Sequence, residues 1–137
     1  MDTKKMIIAV VSVFILYEVT NFLIHGLILA GTYQGLANVF RSMEEMNRMM
    51  WRMWIADLVW SFFFVFIFTK GYQNKGIMEG ARYGLYIALF MNFMAAVAQN
   101  VVYPVPYTLS LQWFIFGAIQ SIFLGIIIAL ILKPKTA

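Results

Sequence analysis

The chain has 137 residues, of which 63% are hydrophobic and only 12% are charged. Soluble domains carry about a quarter charged residues, and a soluble fold this short has too little interior to hide so much apolar surface. The formal net charge of +4 is small, and there is no cysteine, so the composition excludes disulfides and thiolate metal sites and argues against a nucleic-acid partner.

Four long apolar runs follow one another along the chain, and each is roughly 18–25 residues long, enough to cross about 30 Å of hydrocarbon as a helix. A strand of a membrane β-barrel needs only about 10 residues of alternating hydrophobicity, so runs of this length indicate helices. The runs cover about residues 6–30, 51–68, 80–102 and 110–132. We therefore predict an all-α integral membrane protein, one domain over residues 1–137, built as a four-transmembrane-helix bundle.

The first run follows Lys4 and Lys5 and could be taken for a signal peptide. It is too long for a signal core, it contains Glu18, and no small-x-small cleavage site follows it cleanly. We therefore predict a retained first helix. Asn21 and His25 follow Glu18 on the same helical face, towards the predicted outer surface.

Residues 31–50 form the only long connection, and the pattern predicts a helix over residues 36–53. Four methionines at 3-4-3 spacing give it one apolar stripe. The stripe consists of Met43, Met46, Met50 and Met53. Two alternatives stay open: an amphipathic helix on the outer surface, or an N-terminal extension of the second span. Thioethers suit Cu(I), so Met46 and Met50 are candidate metal ligands, although methionine at this spacing is usually a surface that packs against lipid or a partner.

Every predicted span carries one strongly polar side chain near the middle of the membrane. At a rise of about 1.5 Å per residue, these side chains lie about 16–18 Å from the inner face. In chain order they are Glu18, Asp57, Asn92 and Gln120. Together with Asn21 and His25 they form a predicted intramembrane polar belt.

The remaining connections are short. Residues 69–76 are predicted to form a tight polar turn, and Pro104 and Pro106 exclude a helix between the third and fourth spans. In the fourth span Gly117, Ser121 and Gly125 recur every four residues. Small residues at this spacing allow close helix packing, either within the bundle or with a neighbouring subunit.

The distribution of Lys and Arg predicts the orientation in the membrane. One side carries Lys4, Lys5, Lys70, Lys75, Arg82, Lys133 and Lys135, whereas the other carries Arg41, Arg48 and Arg52. The positive-inside rule therefore places both termini in the cytoplasm. Tyr and Trp residues gather at the predicted outer interface, as is typical of an aromatic belt.

Ionisable side chains inside a span are functional candidates by default. Glu18 and Asp57, at one depth in a dry core, would not both be charged, because desolvation and like-charge repulsion oppose it. Such a pair suits a site for a proton or a cation. The alternative is structural, because polar residues also join helices through interhelical hydrogen bonds of about 1 kcal/mol each.

His25 is the only histidine, and a lone histidine is more often a hydrogen-bonded core or interface residue than a ligand. Haem ligation or a quinone contact is the functional alternative, and haem held by two histidines would need a partner subunit. We predict no bound cofactor. The sequence also lacks a phosphate loop, a histidine-rich metal motif and a serine nucleophile elbow, so we do not expect an enzyme.

Three stretches carry a family resemblance. They are residues 21–26 (NFLIHG), residues 68–80 (FTKGYQNKGIMEG) and residues 103–113 (YPVPYTLSLQW). Together they resemble a group of small bacterial four-span membrane proteins classed as a domain of unknown function. The resemblance covers most of the chain and implies a bacterial inner-membrane location, without an activity or site residues.

A weaker resemblance points to the small multidrug-resistance transporters, which are of similar length and carry a glutamate in the first of four spans. Glu18, between Tyr17 and Val19, is similar to that glutamate. The chain departs from the transporter pattern in its long first outer loop, in the second acid, Asp57, and in its third span.

Three functional hypotheses follow from these observations. The first is a non-enzymatic subunit or accessory factor of a larger membrane complex, with partner subunits or further copies around it. The second is a proton- or cation-coupled transporter or channel for a small molecule that uses Glu18 and Asp57. The third is a protein that binds haem, quinone or lipid through His25 and the outer aromatic rim.

Overall fold

The computed structural model describes residues 3–133. Four of its five helices are long and apolar enough to cross a membrane. The helices are α1 (Thr3–Ile28), α2 (Ala30–Gln34), α3 (Met43–Gly71), α4 (Ile77–Val102) and α5 (Tyr107–Leu132). The predicted all-α four-helix membrane architecture is thus confirmed. Lys135, used above for the orientation, lies outside the described residues.

The four long helices run alternately up and down, and α1 packs against both α3 and α5, while α5 also packs against α4. Lys5 at the start of α1 donates a hydrogen bond from Nζ to the carbonyl oxygen of Lys133, 2.9 Å away. The beginning of α1 and the end of α5 therefore lie together, with the turn between α3 and α4. We call this end of the bundle the terminal end, and the end that carries α2 and Val105 the distal end.

The core of the terminal half is apolar. Its buried residues come from α1, α3 and α5. They are Ala9, Val13, Phe64, Val65, Phe68, Leu124, Ile128, Ala129 and Leu132. A second buried cluster closes the distal end, where Leu29 and Ile24 pack against Val105 and Leu109.

The closest helix contact joins α4 to α5. A Cβ atom on Gly80 would overlap the carbonyl of Gly125, and one on Gly84 would overlap the carbonyl of Ser121. Two of the three predicted small residues, Ser121 and Gly125, thus lie against glycines of the neighbouring helix in the same chain. Gly117, the third, faces the side chain of Asn92 instead.

The helix that precedes the second span is an extension of it, as one of the two alternatives expected. The predicted helix over residues 36–53 is wrong in its first part, because residues 35–40 form turns and α3 begins only at Met43. The hydroxyl oxygen of Ser42 accepts a hydrogen bond from the backbone N–H of Glu45, 3.3 Å away, which caps the helix at that point. The preceding turns bring Leu36 against the distal cluster.

The helices extend beyond the predicted spans, since each helix starts before its hydrophobic run does. The helix that contains the second predicted span begins at Met43, eight residues before that span, and ends at Gly71, three residues after it. Polar residues at the helix ends continue the backbone hydrogen bonding without adding to the apolar run. Hydropathy therefore underestimates the length of the helix.

Two stretches of the long helices are π-helical rather than α-helical. They are Phe22–Ile28 in α1 and Ala88–Phe93 in α4. The sequence pattern indicates neither of them. Short π-helical stretches are rare and frequently lie at functional sites, and these two contain His25 and Asn92.

The turns agree with their predicted character. In the turn of residues 72–76, the carboxylate of Glu79 accepts hydrogen bonds from the backbone N–H groups of Gln73, at 2.5 Å, and Lys75, at 2.7 Å. The turn between α4 and α5 is not helical, and the side chain of Asn100 donates to the carbonyl of Val105 at 2.8 Å.

Candidate functional site

A cavity of about 250 Å³ lies between α1, α4 and α5, in the distal half of the bundle. From α3 only Trp60 reaches it. The residues that line it are Tyr17, Asn21, Ile24, His25, Trp60, Asn92, Ala95, Ala96, Gln99, Trp113, Phe116, Gly117, Gln120 and Ser121. Four of the six predicted polar-belt residues are therefore brought to one cavity, namely Asn21, His25, Asn92 and Gln120.

Gln120 joins α5 to α1 at the floor of the cavity. Its Nε2 atom donates to Thr20 Oγ1 at 2.6 Å and to Asn21 Oδ1 at 3.0 Å, and it lies 3.4 Å from the carbonyl oxygen of Tyr17. Thr20 in turn donates its hydroxyl proton to the backbone of its own helix. The Gln120 side chain is buried, so these bonds satisfy an amide that would otherwise be costly in the membrane.

Asn92 reaches into the cavity from the π-helical part of α4. Its Nδ2 atom lies 3.4 Å from Ser121 Oγ on α5. A Cβ atom on Gly117 would stand 2.6 Å from the same Nδ2 atom, so the glycine leaves the space that the amide occupies. Asn92 thus faces α5 at Gly117 and Ser121, on a different side of that helix from Gln120.

The remaining two belt residues, Glu18 and Asp57, are neighbours at the contact of α1 with α3. Their carboxyl groups are close enough for one, when protonated, to donate a hydrogen bond to the other. Asp57 is 9% exposed, and Glu18 Oε1 is a buried atom without a hydrogen-bond partner among the described residues. The pair does not line the cavity.

Tyr17 and Asn21 connect the carboxyl pair to the cavity. Both line the cavity, and the Tyr17 hydroxyl interacts with the Asn21 side chain and, electrostatically, with Asp57 and Glu18. A proton on the pair is therefore separated from the cavity by one layer of polar side chains. A change in the charge of the pair acts directly on groups that a cavity ligand would touch.

His25 lies at the distal rim of the cavity. Its Nδ1 atom is 2.6 Å from the hydroxyl of Tyr33 on α2, and that hydroxyl also accepts a hydrogen bond from Trp113 Nε1 at 2.8 Å. Burial raises the pKa of Tyr33 above its ordinary value of 10.0. The hydroxyl therefore keeps its proton and can donate it to His25 Nδ1, which leaves the second ring nitrogen to carry the imidazole hydrogen.

Aromatic side chains close the cavity towards the terminal end. The Trp60 ring stacks on Tyr17 and on Phe64, with ring centres 4.7 Å apart in both pairs. Phe64 in turn lies 5.0 Å from Tyr83 of α4, whose hydroxyl donates to the Phe64 carbonyl at 2.6 Å. Below Trp60 these rings pack against the mainly aliphatic core of the terminal half.

The methionine stripe is in line with Asp57 and Trp60 further along α3, because its three- and four-residue spacing continues into those two positions. The first buried residue of α3 is Asp57, so the methionines that precede it in the helix are not part of the core. Met43, Met50 and Met53 are 69%, 37% and 55% exposed. The distal half of this face is therefore exposed at these three methionines.

Within residues 3–133, no group of three or more His, Cys, Asp or Glu side chains comes together around a common point. His25 is engaged with Tyr33, and Met46 and Met50 lie along the extension of α3. The residues present suit hydrogen bonding to a small molecule better than metal coordination.

The polar belt was predictable from the sequence, but several side chains of its hydrogen-bond network were not. Thr20 bonds to Gln120 and Tyr33 bonds to His25, while Trp113 donates to the hydroxyl of Tyr33. Hydroxyl and aromatic residues are common in membrane helices, so their type alone gives no signal. Their role depends on the rotation of the helices, which hydropathy does not specify.

No protein-family model, curated protein or solved structure matches this chain in comparisons of its sequence and fold.

Proposed function

We propose that this chain is a non-enzymatic, proton-coupled carrier for a small molecule, with Glu18 and Asp57 as the proton-binding pair. The observation that carries the proposal is the position of Tyr17, which lines the cavity, bonds to Asn21 and interacts electrostatically with both acids of the pair. A polar cavity at membrane depth supplies a place for a ligand, and a neighbouring acid pair supplies the means of coupling.

The chemistry of the pair follows from its surroundings. Two adjacent carboxyl groups away from water do not both ionise, because repulsion and desolvation favour one shared proton. Loss of that proton would leave a second negative charge beside Tyr17 and would pull polar hydrogens towards Asp57. Ligand binding in the cavity and proton binding at the pair would therefore influence each other reciprocally.

We infer from the rings below Trp60 and the apolar core beneath them that this conformation is closed at the terminal end. We propose that the terminal end faces the cytoplasm of a bacterium, in the inner membrane, with both termini inside. Lys4, Lys5, Lys70, Lys75, Arg82 and Lys133 support this orientation.

A second candidate function is that of a subunit or accessory factor of a larger membrane complex. The exposed side chains of Met50 and Met53 on α3 favour it, because methionine adapts its shape to an apolar partner helix. The small residues Ser121 and Gly125 no longer support it, since α4 of the same chain covers them.

Proteoliposomes test the carrier proposal. Vesicles are loaded with a pH-sensitive dye and with the small-molecule fraction of a bacterial extract, and an inward proton gradient is applied. We expect faster proton entry with the wild-type protein than with Glu18→Gln or Asp57→Asn. Glu44→Gln is the matched control, because Glu44 is exposed and forms only a surface ion pair with Arg48 at 3.8 Å. Equal proton entry in all four proteins would contradict the proposal.

A further inference from the structure

The cavity offers hydrogen bonds but no charge. Within residues 3–133, its lining includes no Lys, Arg, Asp or Glu, and the acid pair neighbours Tyr17 without lining the cavity itself. Because an unpaired charge is expensive to bury, this lining favours an uncharged ligand. The volume of about 250 Å³ falls below the roughly 300–1,000 Å³ of pockets for drug-sized ligands, so the ligand must also be compact.

Gln120 presents a fixed hydrogen-bond acceptor to the cavity. Its Nε2 atom faces α1, where Thr20 Oγ1 and Asn21 Oδ1 accept its hydrogens, so the amide cannot turn over without losing both bonds. The opposite atom, Oε1, accepts no hydrogen bond from any described residue, yet it is not enclosed by protein. The open space that Gln120 borders is the cavity. Its Oε1 atom is therefore available to an N–H or O–H group of a ligand.

Asn92 presents a second acceptor from the opposite wall. Its Nδ2 atom is directed at Ser121 Oγ, 3.4 Å away. Its Oδ1 atom has no hydrogen-bond partner among the described residues and is not enclosed by protein either. The amide lies beside Gly117, which is three residues from Gln120, or about 4.5 Å along the helix axis. Both amides thus border the cavity within one turn of α5.

His25 supplies a donor at the distal rim. Its Nδ1 atom accepts the hydroxyl hydrogen of Tyr33 at 2.6 Å, so Nε2 carries the imidazole hydrogen, and no described residue accepts that hydrogen. His25 follows Asn21 by one helical turn on the same face of α1, and it lies, like Asn92, in one of the two π-helical stretches, which are frequent at functional sites. The cavity thus combines two free acceptors with one free donor.

We propose that the cavity binds a compact, uncharged molecule that carries a primary carboxamide group. The two N–H bonds of such a group match the acceptor oxygens of Gln120 and Asn92, and its carbonyl oxygen matches the Nε2–H of His25. The inference names the substrate class of the proposed carrier and in this respect rests on that function. The apolar part of the ligand would lie among the aromatic side chains of the lining. These are Tyr17, Trp60, Trp113 and Phe116.

Fluorine NMR of 4-fluorobenzamide, with the protein in lipid nanodiscs, tests the inference without a proton gradient. We expect saturable broadening of the fluorine signal beyond that in empty nanodiscs, and benzamide should compete. N,N-Dimethylbenzamide, which keeps the ring and the carbonyl but has no N–H, and benzoate, which is charged, should each compete about tenfold less well. This factor corresponds to the loss of one hydrogen bond of ordinary strength. Equal competition by either compound, or broadening no greater than in empty nanodiscs, would overturn the inference.

Two variants test the position of the carboxamide. Asn92→Leu removes one acceptor at nearly constant size and should weaken binding about tenfold. His25→Phe removes the donor at the exposed rim and should weaken binding to a similar extent, so it decides the matter alone where Asn92→Leu does not fold. Gln112→Leu is the matched control, because Gln112 is exposed and does not line the cavity. Wild-type affinity in His25→Phe and in folded Asn92→Leu would overturn the inference.

Ligand binding and the carrier function can fail separately. If 4-fluorobenzamide does not bind saturably while Asp57→Asn still slows proton entry, the inference is wrong and the carrier function stands. If 4-fluorobenzamide binds as described but proton entry is equal in the wild type and in all three variants of the vesicle experiment, the ligand class stands and the carrier function is wrong.

Discussion

Gln120 on α5 and Asn21 on α1 are joined by a hydrogen bond of 3.0 Å from Nε2 to Oδ1, at the floor of the polar cavity. The same Asn21 side chain interacts with the Tyr17 hydroxyl, which lies beside the acid pair. One amide thus holds two helices together and forms part of the connection from cavity to carboxyl groups. The structural role and the proposed functional role of the polar belt therefore meet at this position.

The Gln120→Leu variant measures the structural role. It removes the bonds to Thr20 and Asn21 while keeping the size of the side chain, and we expect a loss of about 1–2 kcal/mol in unfolding free energy, the range for interhelical hydrogen bonds in membranes. Unfolding in mixed detergent micelles gives the value. Gln112→Leu, at an exposed position of the same helix, should change stability little. An equal effect of both substitutions would show that the bonds of Gln120 do not hold the bundle together.

Gly84→Ala tests the close contact of α4 with α5. The new methyl group would overlap the Ser121 carbonyl, so the helices must separate, and overpacking of this kind costs about 1–3 kcal/mol or more. Gly71→Ala is the control, because nothing lies within 4 Å of the added atom. Thermal unfolding of the two variants should differ clearly. Similar midpoints would mean that α4 and α5 are less tightly packed than described.

Much of the fold could be predicted because the length and spacing of the apolar runs are sufficient to define membrane spans. Met43–Gly71 was identifiable as a span with an extension, since the methionine spacing continues the helical repeat. The start of the helix was not predicted correctly, because it depends on the cap at Ser42 and on packing of the preceding turns against the distal cluster.

The candidate site could be predicted only in part. Glu18 and Asp57 stand out because charges are rare at membrane depth, and the structure places them side by side. Sequence does not give the rotation of α4, and so it could not pair Gly80 and Gly84 with the small residues of α5. Nor could it show that Asn92 and Gln120 share a cavity from which the acid pair is excluded.

The orientation can be tested with introduced cysteines, because the chain has none of its own. Asn38→Cys lies in the turns after α2, and Gln73→Cys lies in the turn between α3 and α4; both positions are exposed. A membrane-impermeant maleimide applied to intact bacterial spheroplasts should label Asn38→Cys at once and Gln73→Cys only after the membrane is opened. The reverse pattern would place the terminal end outside.

Tyr33→Phe tests the distal rim and its dependence on pH. The pKa of Tyr33 is raised by burial, so the folded state holds the proton more tightly than the unfolded state does. Its contribution to stability is therefore complete below pH 10.0, the ordinary value, and is lost as the pH rises from there through the raised pKa. Trp113 fluorescence should report this loosening in the wild type.

In Tyr33→Phe the part of the alkaline change that depends on Tyr33 should disappear, because no proton remains to be lost at that position. Tyr107→Phe serves as the control, since Tyr107 is 74% exposed and its substitution should leave the profile unchanged. Identical alkaline profiles in the wild type and in Tyr33→Phe would show that the hydroxyl does not organise the rim.

Infrared difference spectroscopy of the reconstituted protein tests the central claim most directly, because it detects a protonated carboxyl group without knowledge of the substrate. At neutral pH we predict one C=O stretching band of a protonated carboxyl in a water-poor environment, shifted or lost in both Glu18→Gln and Asp57→Asn and unchanged in Glu44→Gln. A wild-type spectrum without such a band, or a band that neither substitution alters, would contradict the proposal that Glu18 and Asp57 share the coupling proton.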